Sequence, residues 1–268
     1  MRAKPGEASE GAPARIPAPR SHAPRHLRVR RPRSRVLAVL IDSWTLLIAS
    51  AVVFAGVLLG FLLPVDEAVA GWRLGVHYPS MHGLMEVLDH VGQRAVCLPL
   101  LAAATALVAW RRRRWWPVLV AVSGVLAINV VVGAIKLTTD RPSPRTGTPE
   151  LWQYGDLFPS GHSANVVFVY GLMAWLLVRD TRHGRQWAGW LVGLVAAGAL
   201  GMFVISIYRD THWLTDLVLG ALIGALVLKW TIIADVRGDR DDEHDHLQRP
   251  RGSSAGSRRS DTELMHQR

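Results

Sequence analysis

The sequence predicts an all-α, polytopic membrane protein: a six-helix transmembrane bundle with an interfacial helix between spans one and two. Three observations point there. Half of the residues are hydrophobic although the formal net charge is +10, because apolar and basic residues fall into separate blocks. Six apolar runs approach the roughly 20 residues that cross a hydrocarbon core. None of them shows the two-residue alternation of a membrane β-barrel. The runs are Val36–Leu63, Ala95–Trp110, Pro117–Ile135, Ser163–Val178, Trp187–Ile207 and Trp213–Ala234. The second and fourth are short and need flanking residues or tilt.

Residues 1–35 are rich in Arg, Pro, Ala and Ser without apolar periodicity, which reads as a disordered basic cytoplasmic tail. The run that follows is too long for the apolar core of a signal peptide, favouring a retained first span over a cleaved leader. Asp42 lies near the start of that span, where an interfacial carboxylate is solvated and structural. From Val65 to Arg94 the chain is mixed, and Leu84, Val87, Leu88 and Val91 share one helical face. That pattern is an amphipathic helix lying at the membrane surface. His77, His82 and His90 fall in the same segment at spacings that match no metal motif.

Span two ends in four arginines, Arg111 to Arg114, followed by Trp115 and Trp116, and a basic stretch from Arg179 to Arg185 separates spans four and five. The positive-inside rule puts those loops and both tails in the cytoplasm. The 65–94 segment, the Lys136–His162 loop and the Tyr208–Thr211 turn then lie outside. The charge is accounted for by topology and anionic headgroups, so nucleic acid is not an expected partner. Span six leads to a tail, residues 235–268, of mixed charge clusters with Ser and Gly, read as disordered and cytoplasmic. Its acidic and histidine cluster at 241–246 resembles a metal site faintly; a solvated tail accounts for it. Residues 36–234 are thus the membrane domain. The single cysteine, Cys97, lies within a span and excludes an intrachain disulfide.

Three segments that the topology places outside hold the candidate chemistry. The first, Lys136 to Arg145, carries Lys136, Arg141 and Arg145, leaving positive charge on the outer face. The second is Pro159-Ser160-Gly161-His162, where a polar loop gives way to an apolar run. There Ser160 can cap a helix, Gly161 lets a ligand approach the backbone, and free N–H groups favour a phosphate. His162 is placed to give a proton to whatever leaves that phosphate. The third is Tyr208 to Asp216, with Arg209 ahead of His212. His212 and Asp216 lie one helical turn apart on one face, so the carboxylate can hold one imidazole nitrogen and leave the other to attack.

Together these segments resemble the type-2 phosphatidic acid phosphatases, relatives of vanadium haloperoxidases and of bacterial lipid phosphatases. The resemblance covers roughly Val36 to Ala234 and is sharpest from Lys136 to Asp216. Lys136, Pro159 to His162, and His212 with Asp216 fit the family pattern. Two positions depart from it. The family arginine of the first segment falls on Ser143, ahead of Pro144, and that of the third on Ser206, with Ile205 where the pattern has serine. Arg141 and Arg209 are the nearest replacements and Arg145 a weaker one. Serine supplies no bidentate phosphate contact.

The resemblance implies a metal-independent hydrolase without a cofactor. His212 forms a phosphohistidine, Asp216 supports its imidazolium, and His162 protonates the leaving group. Lys136, Arg141, Arg209, Ser160 and the Gly161 N–H neutralise the phosphoryl oxygens. The expected substrate is a membrane lipid phosphate, reached from the bilayer at the extracytoplasmic face: isoprenoid diphosphate, which that face favours slightly, phosphatidate or phosphatidylglycerophosphate. Two other classes stay open. A catalytically silent lipid-phosphate binding or scaffold protein would bind without releasing orthophosphate. A small transporter would need ionisable groups deep in the spans, and beyond Asp42 and the boundary residues the sequence offers none.

Overall fold

The structure, a computed structural model, describes residues 42–139, 141–145, 158–181 and 184–248, with the side chains of residue 185 and of residues beyond 238 outside the description. The expected tail at 1–35, the start of span one, the 241–246 side chains and the chain end after 248 fall outside the described residues. All regular structure among these residues is helical.

Helix α1 (Ser43–Leu58) begins after Asp42, which is exposed at the N-cap. Span one does not continue to Leu63 as the hydropathy predicts. The chain breaks at Gly60, whose φ of +74° is a left-handed conformation that glycine adopts at little cost. It restarts at a bend of 82°. Helix α2 (Leu63–Ala70) has Pro64 in its first turn, where the missing N–H is not needed.

The 65–94 segment then folds as short pieces: α3 (Leu74–His77), a 3-10 turn (Pro79–Met81), α4 (His82–Asp89) and a second 3-10 turn (His90–Gly92). Helix α4 is the predicted interfacial helix. Leu84, Val87, Leu88 and Val91 are all exposed, as a membrane-facing stripe requires. Met85, on the inner side, packs against the cluster of Val166, Met202 and Ile205.

The five long helices follow: α5 (Arg94–Arg112), α6 (Trp116–Thr138), α7 (Gly161–Asp180), α8 (Gly184–Tyr208) and α9 (Leu214–Gln248). Five described helices are long and apolar enough to cross a membrane, or up to six if the bent pair over Ser43–His77 counts as one. The last helix runs to Gln248, beyond the membrane-crossing stretch that ends at Gly238. Asp235 explains part of this: it is buried, accepts from Trp175 Nε1 at 2.9 Å and pairs with Arg179 of α7. Arg112 pairs with Asp180 beside it. These contacts tie together the Arg-rich end of the bundle.

Helix α9 is the central element. Gly220 and Gly224, spaced by four, let it press on the start of α7. A Cβ at Gly220 would stand 2.3 Å from the Ser160 carbonyl oxygen, and one at Gly224 2.6 Å from that of Ala164. The close approach places the start of α9 against the start of α7. The core between them is Phe158, Ala164, Phe168, Leu172, Leu219, Ile223 and Val227.

Candidate active site

The second and third sequence segments meet where α7 and α9 begin. Ser160 caps α7, its Oγ accepting from Ser163 N at 3.4 Å. Its own N–H donates to the Asp216 carbonyl at 3.0 Å, a direct strap between the two segments. A side chain at Gly161 would meet nothing within 4 Å, so the space beside its backbone is open. The rings of His162 and His212 lie 6.3 Å apart, tilted by 58°. The two imidazoles, from different segments of the chain, are thus close enough to act on one group held at the rim between them.

Asp216 is fully buried in the first turn of α9. One oxygen accepts the N–H of Trp213 at 3.0 Å and stands 3.8 Å from His212 Nδ1, leaving Nε2 as the outward nitrogen. The other oxygen pairs with Arg141. The Arg141 guanidinium, 11% exposed, also pairs with buried Asp66 of α2 and donates to Thr215 Oγ1 at 2.9 Å. Its carbon lies 5.4 Å from the Phe158 ring centre and 5.7 Å from that of Trp213. Asp66 in turn accepts Thr215 N at 2.9 Å and Thr215 Oγ1 at 2.6 Å, satisfying a free donor at the start of α9.

The expectation that Arg141 clamps the phosphate is therefore corrected. It is held between two carboxylates and two rings behind the His212–Asp216 pair. Two buried carboxylates and one guanidinium leave the group net negative, which favours positive charge developing on His212.

Arg209 is placed differently. It stands at the His162 side of the site, where its Nη1 lies 2.5 Å from Asp89 Oδ2. Asp89, at the end of α4, is itself 3.8 Å from His162 Nε2. Lys136, on the last turn of α6, lies within electrostatic range of His162, as Arg209 and His212 do. Arg145 and Arg73 lie within electrostatic range of Asp210 in the α8–α9 turn. Burial pushes the Asp210 carboxyl up, against the pull of those two cations. Ser143 and Ser206, which stand where the family pattern has arginine, are both buried.

Asp66 and Asp89 are the residues that sequence reasoning passed over. Both were visible as carboxylates in the mixed segment; the available signal was a charged residue beside an otherwise apolar helical face. The three histidines of that segment are each tied locally. His77 Nδ1 faces the Arg73 carbonyl, His82 Nδ1 those of Pro79 and the Tyr208 hydroxyl, and His90 Nδ1 that of Glu86. Among the described residues no three His, Cys, Asp or Glu side chains are grouped to hold a metal.

Residues 114–237, which include Lys136, the Pro159–His162 turn and the His212–Asp216 pair, match the model of the PAP2 superfamily. That segment belongs to the PAP2 superfamily. A relative, phosphatidylglycerophosphatase B of Bacillus subtilis (strain 168), is 25% identical over 173 residues, spanning 60% of this chain and 79% of that protein. The crystal structure of the first transmembrane PAP2 type phosphatidylglycerolphosphate phosphatase from Bacillus subtilis aligns with a TM-score of 0.64 at 20% identity, covering 74% of this chain and 96% of that one. At that identity the likeness establishes the shared fold: a multi-pass helical membrane bundle. With that segment the chain is a phosphatase, a hydrolase of phosphoric esters.

Proposed function

We propose that this chain dephosphorylates a membrane lipid through a phosphohistidine on His212, without a metal. The observation that carries the reading is the pair of imidazoles, from segments 50 residues apart in the chain, brought to 6.3 Å between ring centres at the starts of α7 and α9. His212 Nε2 attacks phosphorus while Asp216, backed by Arg141 and Asp66, orients the ring and offsets its positive charge. As the P–O bond breaks, its electron pair goes to the leaving oxygen, which takes a proton from His162. Water then gives a proton to His162, attacks phosphorus and breaks the N–P bond, releasing orthophosphate. The Gly161 N–H, beside open space, and the nearby cations Lys136 and Arg209 face the phosphoryl oxygens and supply the electrostatic stabilisation, while buried Ser160 holds the turn in place as the cap of α7.

The substrate class follows from the surroundings. The site lies at the end of an apolar bundle, and Leu84, Val87 and Leu88 of α4 expose apolar side chains beside it. A phosphorylated glycerolipid such as phosphatidylglycerophosphate is the favoured substrate, supported by the kinship to a phosphatidylglycerophosphatase. Isoprenoid diphosphate and phosphatidate share the required chemistry. The opposite end carries Arg111 to Arg114 and Arg179, so the positive-inside rule supports cytoplasmic termini and an extracytoplasmic site. The flanking tails lie outside this catalytic domain.

Ser143 and Ser206 favour one rival reading, a protein that binds lipid phosphate without turning it over. Orthophosphate release from purified protein in detergent with EDTA, measured over a lipid phosphate panel, separates the two. Turnover that disappears in His212→Ala supports the enzyme; lipid binding without release by the unaltered protein supports the rival.

A further inference from the structure

We propose that Asp89 is the positioning residue for His162, and that Arg209 serves first to hold Asp89. This inference rests on the phosphatase reading and adds a carboxylate partner for the proton donor, which the family motifs do not contain.

The geometry behind it is fixed from several directions. Asp89 is 7% exposed at the end of α4. Its Oδ2 is the meeting point of three groups: Arg209 Nη1 at 2.5 Å, Gln93 Nε2 at 3.4 Å and His162 Nε2 at 3.8 Å. That imidazole nitrogen is buried and has no hydrogen-bond partner among the described residues. The turn after Asp89 is strapped to α7, the helix that carries His162. Asn165 Nδ2 donates to the Gly92 carbonyl at 3.3 Å, and the Tyr170 hydroxyl donates to that of Val91 at 2.9 Å. Tyr170 ends a π-helical turn over Val166–Tyr170, a distortion that commonly marks functional positions. A Cβ at Gly92 would lie 3.1 Å from His162 Cβ and Cδ2, so glycine there lets the turn rest on the ring.

The charges facing His162 make the role specific. From α4 comes Asp89; from α6, Lys136; from the α8–α9 turn, Arg209 and His212. Asp89 is thus the carboxylate set against two fixed cations. Burial of the ring and the nearby His212, Lys136 and Arg209 all disfavour an imidazolium, and Asp89 is the group that opposes them; without it, the ring loses its proton more readily. The nitrogen turned away from Asp89 is left to serve the leaving oxygen. The step is the one written above: the P–O electron pair goes to that oxygen, and His162 hands over the proton and becomes neutral.

The sign of the effect follows. A proton donor works below its pKa, so activity falls as pH rises through it. Asp89→Asn removes the favourable charge and moves that basic limb to lower pH. Arg209→Gln frees Asp89 from its partner and removes a repelling cation, moving the limb to higher pH.

The test is the pH dependence of kcat/KM for orthophosphate release from a phosphomonoester lipid in detergent. It compares the unaltered protein with Asp89→Asn, Asp89→Glu and Arg209→Gln. The basic limb is expected to fall by about 1 pH unit in Asp89→Asn, to be largely restored in Asp89→Glu, and to rise in Arg209→Gln. Thermal stabilisation by orthovanadate, retained in Asp89→Asn, shows that its site is folded. A uniform loss at every pH with an unmoved limb, or loss of the vanadate effect, overturns the proposal and makes Asp89 structural. A raised KM with an unmoved limb in Arg209→Gln assigns that arginine to the phosphate. If the unaltered protein releases no orthophosphate at any pH, the phosphatase reading fails and this inference with it.

Discussion

The two histidines of the site have the same kind of support, assembled in two different ways. His212 is backed by Asp216 and then Arg141; His162 faces Asp89 and then Arg209. The His212 arm is local in its first link, an i,i+4 pair on one helix, and dry: the Asp216 side chain is fully buried. The His162 arm joins residues separated by 73 positions, and its arginine remains 30% exposed. A nucleophile needs one fixed orientation and a standing negative charge behind it, which burial provides. A proton donor must change charge twice per turnover, and a partly solvated partner allows that with less reorganisation.

The comparison can be broken at its strongest point first. His212→Ala is expected to lower orthophosphate release on the order of 10^4-fold or more, because the attacking atom is gone. Asp216→Asn should cost about 10^3–10^4-fold in kcat by presenting an amide where the ring needs a carboxylate. His162→Ala should cost about 10^2–10^4-fold, and less with a substrate whose leaving group needs no proton. An activated aryl phosphate would show that difference directly. If both substrates suffer equally, the assignment of His162 as donor is wrong.

Arg141→Ala tests the supporting layer. It leaves Asp66 and Asp216 buried without their cation, a loss of about 3–5 kcal/mol in stability. A large fall in the detergent melting temperature is expected, accompanied by loss of kcat. A variant of unchanged stability with a raised KM alone would return Arg141 to the phosphate. Gly220→Ala should separate the two arms mechanically, since the added methyl would meet the Ser160 carbonyl. The smallest effect is expected from Arg145→Ala: Arg145 is exposed, and activity should stay within about 2-fold, as for most surface substitutions.

Much of this was legible in the chain because it is local or periodic. The apolar runs gave the helices, and the four-residue spacing of His212 and Asp216 gave the pair that meets at the start of α9. The outward stripe of Leu84, Val87 and Leu88 gave the interfacial helix. What was hidden is tertiary. Gly60 ends span one early by a left-handed turn that hydropathy averaging cannot register. Asp235 extends the last helix into a charged sequence because Arg179 and Trp175, in another helix, receive it. Arg141 reads as a loose outer cation until Asp66 is seen across the bundle. Asp89 carries no motif, since its meaning arises where α4 crosses the starts of α7 and the α8–α9 turn.

The most direct measurement is the fate of the phosphoryl group itself. A reaction with a phosphorus-labelled lipid phosphate is stopped in base during turnover and the peptides are mapped. The account predicts label on His212, stable in base and lost in acid as an N–P bond requires, and absent from His212→Ala. Label on His162, or steady orthophosphate release with no histidine ever labelled, would contradict it.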